Sequence, residues 1–225
     1  MSSICKRELA TKDRPLLRPE SIGSLKRRLS DVIIRDNSDC PSTISSGYDE
    51  LDSLFPQQGL PFGQIFELTG GASCGKTSLL INMLARFSTS HTIGYVDLSG
   101  CLSPHGLVSS GLNRDNFILV RSNKEDEAIK AAEQFVRTGQ VSIIVCDLCG
   151  RSEPLNSSQV HRLRINTVRF HRLVILLTDD SKQLLPPSMV SGQLKVERIT
   201  PNKVNVTVTK SRIITAGRQA EIRLN

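Results

Sequence analysis

The strongest indication of the fold is the sequence Gly70-Gly71-Ala72-Ser73-Cys74-Gly75-Lys76-Thr77. It fits the pattern G-x-x-x-x-G-K-[ST], in which backbone N–H groups and a lysine surround phosphate oxygens. Residues 65–69 before it predict a strand, and residues 76–87 after it predict a helix, which is the context the motif requires. A glycine loop that only joins a strand to a helix is the alternative interpretation.

The motif predicts a nucleotide site with a bound metal ion. Lys76 would reach the β- and γ-phosphates, and the Thr77 hydroxyl would bind Mg²⁺. Four apolar residues that end in a carboxylate, Ile143 to Asp147, have the Walker B form and supply a second Mg²⁺ ligand. ATP and Mg²⁺ are therefore the expected cofactors. The predicted nucleotide-binding residues are Gly70, Gly71, Ala72, Ser73, Cys74, Gly75, Lys76, Thr77 and Ser78.

Strands and helices alternate after the phosphate loop. Apolar patterns predict strands at 92–98, 142–147 and 173–178, and helices at 125–138 and 159–172. Ser122 and Glu125 have capping-box spacing at the start of the first of these helices. Residues 193–224 alternate in β fashion, with turns at 201–202 and 216–217. This order indicates an α/β protein with a mainly parallel sheet, to which the tail adds antiparallel strands.

The charge is unevenly distributed along the 225 residues, whose net charge is +7. Residues 1–40 carry nine basic and six acidic side chains, residues 41–181 carry twelve and fourteen, and residues 182–225 carry eight and two. Basic ends on a near-neutral core favour a polyanion as partner, and a solvated basic tail is the alternative. We predict a basic N-terminal arm over residues 1–40, with a short helix at residues 21–33, and a core over residues 44–225.

Several classes of protein are not expected. The longest apolar run, residues 173–177, is far shorter than the roughly 20 residues of a membrane span. The N-terminal residues have no apolar segment typical of a secretion signal, so the six cysteines are expected as reduced thiols in the cytoplasm. Cys146 and Cys149 have the spacing of a redox pair or half a zinc site, although no second close pair completes four zinc ligands.

The sequences at 44–52 (ISSGYDELD) and 59–65 (GLPFGQI), followed by the phosphate loop, resemble the start of the RecA recombinase core. The resemblance spans residues 44–225 and continues through residues 95–104, 111–116, 128–147, 210–212 and 218–221. It implies a RecA-like P-loop NTPase core with a mainly parallel central sheet and C-terminal antiparallel strands. Within it, LFPQQGLPFG at 54–63 is more similar to ImuA-type proteins, which are RecA-like bacterial partners in damage-induced mutagenic DNA synthesis.

The resemblance implies an ATP- and DNA-binding protein of DNA repair, DNA recombination and the SOS response, acting in translesion synthesis. Its implied partners are single-stranded DNA, a protein of a DNA-polymerase complex, and further copies of the chain in an oligomer or filament. By the same resemblance, Arg151, Lys182 and Gln183 lie in the two DNA-binding loops. Lys210 and Arg212 match two cations that reach the ATP of a neighbouring subunit, and solvent-facing strand cations are the alternative.

Departures from the family bear on catalysis. Ser99, two residues after Asp97, stands where the family has the glutamate that activates water, and a serine cannot act as a general base at neutral pH. The predicted catalytic positions are therefore Lys76, Asp97 and the degenerate Ser99. Asp179 replaces the glutamine that senses the γ-phosphate, and a carboxylate there would repel phosphate.

These departures favour weak ATP hydrolysis, and the residues leave open whether the protein is an enzyme. An active DNA-dependent ATPase that performs strand exchange is one alternative, favoured by Lys76, Thr77 and Asp147 together with the basic pair Lys210 and Arg212. A protein-interaction scaffold with an idle nucleotide site is the other.

Overall fold

The computed structural model describes residues 42–151, 153–180, 184–185 and 188–224. The predicted N-terminal arm and the residues Lys182 and Gln183 lie outside these ranges. The strands are β1 (Thr43–Ile44), β2 (Leu60–Pro61), β3 (Gln64–Thr69), β4 (Ile93–Asp97), β5 (Phe117–Arg121), β6 (Ile143–Asp147), β7 (Leu173–Thr178), β8 (Gly192–Thr200), β9 (Lys203–Ser211) and β10 (Gln219–Arg223). The helices are α1 (Asp49–Asp52), α2 (Lys76–Phe87), α3 (Pro104–Ser109), α4 (Glu125–Arg137) and α5 (Ser157–Arg169).

Eight strands form the central sheet, in the order β10-β9-β8-β3-β7-β6-β4-β5. The neighbours from β8 to β5 pair in parallel, whereas β9 pairs antiparallel with both β8 and β10. A short antiparallel ribbon of β1 and β2 lies beside this sheet. The predicted fold class, an α/β core with a mainly parallel sheet and C-terminal antiparallel strands, is confirmed.

The sheet is covered on both faces, as parallel sheets usually are. Helix α2 buries Leu79, Leu80, Met83, Leu84 and Phe87 in one apolar cluster, and their helical spacing produces a single apolar stripe. The apolar faces of α4 and α5 lie in the other cluster on the opposite face. Residues 173–177 of β7 alternate between the two clusters because side chains alternate across a strand.

The pairing register determines where the loops after the strands meet. Thr69 at the end of β3 pairs with Thr178 at the end of β7. Asp147 at the end of β6 pairs with Leu177, also in β7. The carboxyl ends of these three adjacent strands are therefore level, and loops that follow them share one edge of the sheet.

Some local predictions are wrong. Lys124, not Ser122, is the N-cap of α4, and the Ser122 hydroxyl accepts the Lys124 N–H at 3.1 Å in a turn just before the helix. Helix α5 ends at Arg169 and not at residue 172, because His171 adopts a φ of 51° and leaves the helical region. Strand β5 and helix α3 were not predicted from the sequence.

Within residues 42–151, 153–180, 184–185 and 188–224, none of the helices combines the length and the apolar character needed to cross a bilayer.

We expect Gly94→Ala to destabilise the fold. A Cβ at this position of β4 would lie 2.7 Å from the Phe135 ring of α4, so the helix would have to move. Overpacking of this kind costs about 1–3 kcal/mol, measurable as a lower urea midpoint. Gly106→Ala is the matched control, since its Cβ would lie 3.7 Å from the nearest atom. An unchanged midpoint for Gly94→Ala would show that the β4–α4 contact is looser than described.

Candidate functional site

The phosphate loop follows β3, and its backbone shape depends on glycine at two positions. A Cβ on Gly70 would lie 2.5 Å from the Val196 carbonyl oxygen, and Gly75 has a φ of 94°, which other residues rarely adopt. Ser73 takes a φ of 58°, so the loop holds a non-glycine residue in the left-handed region as well. Successive turns of this kind point backbone N–H groups toward a common centre, where an anion binds.

Lys76 is the first residue of α2 and is buried. Its ammonium group donates hydrogen bonds to the Gly70 carbonyl oxygen at 2.8 Å and to the Asp179 carboxylate at 2.9 Å. Burial alone would lower the pKa of Lys76, but the hydrogen bond and charge of Asp179 outweigh it and the pKa is raised. The loop therefore contains a fixed positive charge.

Asp179 follows β7 and contacts two loops at once. One carboxylate oxygen accepts the bond from Lys76, and the other accepts the Gly150 N–H at 2.7 Å. Burial would raise the pKa of Asp179, but the Gly150 N–H and Lys76 together hold it below its usual value. The residue is therefore a carboxylate at neutral pH. We expected this carboxylate to repel phosphate, and the sequence did not show that it forms an ion pair with Lys76.

Asp147 ends β6, as the Walker B pattern predicts, and its carboxylate is surrounded by donors. The Tyr95 hydroxyl lies 3.2 Å and the Ser99 hydroxyl 3.0 Å from one oxygen, while the other accepts the Cys149 N–H at 3.0 Å. Burial, together with the nearby Asp147 charge, raises the pKa of Tyr95 well above its ordinary value. The phenol therefore stays protonated as a donor.

Ser99 lies between two carboxylates. Its hydroxyl oxygen is 3.0 Å from both Asp97 and Asp147, and its single proton can be donated to only one of them at a time. Asp97 is fully buried and also accepts bonds from the Gly100 N–H at 2.7 Å and from Arg121 at 3.1 Å. The structure thus brings two of the predicted catalytic residues, Asp97 and Ser99, together, but it encloses Asp97 among donors.

The other predicted phosphate and metal residues lie at the start of α2. Thr77 is half-buried in the first turn of the helix, and Ser78 is exposed. Ala72 is exposed in the loop, whereas Cys74 is buried beneath it. The motif residues therefore lie together at the amino end of the helix, where the helix dipole favours anions.

A cavity of about 410 Å³ opens beside Ser99. Cys149, Gly150, Arg151 and Glu153 line it, so it extends the site along the loop after β6. Arg151, one of the predicted DNA contacts, turns its guanidinium onto its own loop, where it donates to the carbonyl oxygens of Glu153 and Pro154. The two other predicted DNA contacts, Lys182 and Gln183, lie outside the described residues.

Arg198 of β8 contacts the phosphate loop. This contact was not predicted from the sequence. Its guanidinium donates to the Ser73 carbonyl oxygen at 2.8 Å and to the Pro201 carbonyl oxygen at 2.5 Å. The β8–β9 hairpin is therefore tied to the loop residue with the left-handed backbone. Because Ser73 and Arg198 are 125 positions apart, no local pattern could have indicated the contact.

The basic pair lies around the end of β9. Lys210 is exposed on β9, opposite Gln193, and Gln193 pairs with Glu67 in the middle of β3. Arg212 lies one residue beyond the end of β9 and donates to the Ser188 carbonyl oxygen. Strand β8 lies between β9 and β3, so it separates Lys210 from the strand that leads into the phosphate loop.

Other cations of the tail are engaged within the chain. Lys195 pairs with Glu197 at 2.8 Å, Lys203 pairs with Glu221, and Arg218 donates to the Ser53 carbonyl oxygen at 2.8 Å. The eight basic residues among positions 182–225 therefore overstate the number of cations that are available to a polyanion.

The cysteine pair has the properties of structural thiols. Cys146 is buried in β6, and burial, with a smaller contribution from Asp147, raises the pKa of its thiol to about 12. Burial also raises the pKa of Cys149. Reactive cysteines have lowered pKa values, so these two do not resemble a redox pair. Across the part of the chain that the structure describes, no group of three or more His, Cys, Asp or Glu side chains could hold a metal ion.

A phosphate loop between a parallel strand and a helix, with a carboxylate ending a nearby strand, defines a P-loop nucleotide-binding protein. Residues 30–156, more than half of the chain, match the RecA N-terminal domain, and the chain belongs to that family.

Known proteins are similar to this chain over part or most of its length. Protein RecA of Mycoplasma genitalium is 33% identical over 106 residues, which are 47% of this chain and 31% of that protein. Protein RecA of Macrococcus caseolyticus is 34% identical over 107 residues, 47% of this chain and 30% of that protein. The match thus spans less than a third of either relative. A crystal structure of the RadB recombinase has the same fold, with a TM-score of 0.64 and 21% identity, covering 80% of this chain and 96% of that one.

Proposed function

We propose that this protein binds ATP·Mg²⁺ in the manner of RecA, contacts DNA in repair, and hydrolyses ATP slowly. The observation that carries the proposal is the phosphate loop, whose buried and charged Lys76 lies at the same sheet edge as Asp147. Membership of the RecA family supports it.

The residues present fit a nucleotide with its metal ion. The loop N–H groups, the amino end of α2 and Lys76 would bind the phosphates. Thr77 and Asp147 offer hydroxyl and carboxylate oxygens, the donors Mg²⁺ prefers, and the ion would neutralise phosphate charge. Tyr95 and Ser99 would orient the Asp147 carboxylate through the hydrogen bonds described above.

Slow hydrolysis is proposed because no side chain at the family's catalytic position can take a proton from water. Ser99 is not a base at neutral pH, and Asp97 is fully buried beneath Gly100, Arg121 and Ser99 itself. Glu153 lines the adjacent cavity and is the first residue to test if hydrolysis proves fast.

We further propose an ImuA-type role, in which the protein serves translesion synthesis in the SOS response with a polymerase-complex protein. The similarity of residues 54–63 supports this role. Single-stranded DNA is the proposed nucleic-acid partner, supported by the basic residues 182–225 and by family membership. Arg151, Lys182 and Gln183 are proposed to contact it.

Active strand exchange is the second candidate function. The intact Lys76, Thr77 and Asp147 favour it. Lys210 and Arg212, the predicted cations for the nucleotide of a neighbouring subunit, favour it as well, and β8 separates the strand of Lys210 from the strand before its own phosphate loop. The scaffold hypothesis requires only that the nucleotide site be idle.

Lys76→Ala should weaken ATP·Mg²⁺ binding sharply. Loss of charge-assisted phosphate contacts costs about 1.5–3 kcal/mol, which is roughly a tenfold to hundredfold loss of affinity in titration calorimetry. Lys130→Ala, which removes an exposed lysine from α4, is the control and should bind as the wild type does. Equal affinity of Lys76→Ala and the wild type would exclude the phosphate loop as the nucleotide site.

Steady-state ATP turnover should be slow with and without single-stranded DNA, and Ser99→Glu should raise it at saturating ATP. A positioned general base contributes about 10²–10⁴-fold, so an increase of at least about tenfold is expected. Ser99→Gln has nearly the same shape without the base and should not raise turnover. If the wild type hydrolyses ATP as fast as a RecA protein assayed beside it, the strand-exchange candidate gains and the slow-hydrolysis proposal is wrong.

The combined variant Lys210→Ala and Arg212→Ala should lose nucleotide-dependent self-association. Light scattering of the wild type should rise when a non-hydrolysable ATP analogue is added, and that rise should be absent in the variant. Arg223→Ala removes an exposed cation from β10 and should behave as the wild type does. A wild type that stays monomeric at high concentration with the analogue would disprove the role in a neighbouring subunit.

A further inference from the structure

The ammonium group of Lys76 has a limited number of hydrogen-bond donors. A lysine side chain carries three N–H groups. One points to the Gly70 carbonyl oxygen at 2.8 Å and a second to the Asp179 carboxylate at 2.9 Å. One donor is left for a phosphate oxygen, whereas the lysine of a phosphate loop usually reaches both the β- and the γ-phosphate of a triphosphate.

Asp179 is held in position from two sides. Strand β7 lies between β3 and β6, so Asp179 emerges between the phosphate loop and Asp147. Its second carboxylate oxygen is bound by the Gly150 N–H at 2.7 Å, which turns the side chain toward Lys76. The carboxylate is thus held against the Lys76 ammonium group, at the sheet edge where the phosphate loop and Asp147 meet.

We propose that Asp179 makes this site selective for the diphosphate, so that ADP·Mg²⁺ binds more tightly than ATP·Mg²⁺. The β-phosphate takes the remaining donor of Lys76 and leaves the ion pair with Asp179 intact. A γ-phosphate competes with that carboxylate for Lys76 and brings a second negative charge close to it. The inference rests on the proposed nucleotide binding and adds which nucleotide the site prefers.

The test measures the affinities of ADP·Mg²⁺ and ATP·Mg²⁺ by titration calorimetry for the wild type and two variants. Asp179→Asn removes the charge with little change of shape, and Asp179→Gln supplies a longer neutral amide should the first variant fold poorly. The matched control is Asp180→Asn, because Asp180 is the adjacent acid and its carboxylate lies 3.9 Å from Lys195 of β8. Thermal unfolding of each variant shows whether it is folded.

The wild type should bind ADP·Mg²⁺ about tenfold or more tightly than ATP·Mg²⁺. In the folded Asp179 variants the ratio should fall to about one, through a gain in ATP affinity, and Asp180→Asn should keep the wild-type ratio. If both nucleotides bind and the Asp179 variants leave their ratio unchanged, this inference is overturned while the proposed function stands. If neither nucleotide binds to any of these proteins, both are overturned.

Discussion

The parallel, in-register pairing of β3, β7 and β6 is the constraint on which the rest of the site depends. It brings the ends of three strands level, so that the phosphate loop, Asp179 and Asp147 meet although they are far apart in sequence. Each strand is almost wholly buried, and a slip of one residue would turn every side chain to the opposite face. The geometry of the site is therefore protected by the same burial that stabilises the sheet.

The site places acidic groups close together and compensates most of their charge internally. Asp97 is balanced by Arg121, Asp179 is balanced by Lys76, and Asp147 is stabilised by hydroxyl and amide donors. Of these, only Asp147 lacks a cationic partner in the described chain, and it is the carboxylate to which we assign Mg²⁺. The Ser99 hydroxyl lies within hydrogen-bond distance of both Asp97 and Asp147. The family has a glutamate at this position, so the residue that replaces the general base is also part of the local hydrogen-bond network.

The sequence predicted those parts of the fold that depend on local pattern. Helix α2 and strand β7 have the predicted bounds, since an apolar stripe after a phosphate loop and a continuous apolar run each leave little choice. Helix α4 begins at Glu125 as predicted, but its N-cap was predicted wrongly because capping-box spacing does not ensure that the serine adopts the N-cap backbone. Strand β5 was missed, although its four apolar residues are a recognisable buried strand.

Sequence motifs identified the residues of the site, but the hydrogen bonds between them could not be predicted. The bond between Lys76 and Asp179 spans 103 positions, and the bond between Arg198 and Ser73 spans 125. Such contacts depend on strand order, which follows from long-range packing and not from any local pattern. The position of Arg212 just beyond β9 depends likewise on a distant contact, the pairing of Ser211 with Gly192.

If Asp179 selects the diphosphate, Lys76 binds Asp179 and a phosphate at the same time. A crystal structure of the protein with ADP·Mg²⁺ would show this arrangement. We expect the Lys76 ammonium group within hydrogen-bond distance of both the β-phosphate and Asp179, with the Gly150 N–H still bound to that carboxylate. An ADP complex in which Asp179 has turned away from Lys76, or in which the diphosphate lies outside the phosphate loop, would contradict it.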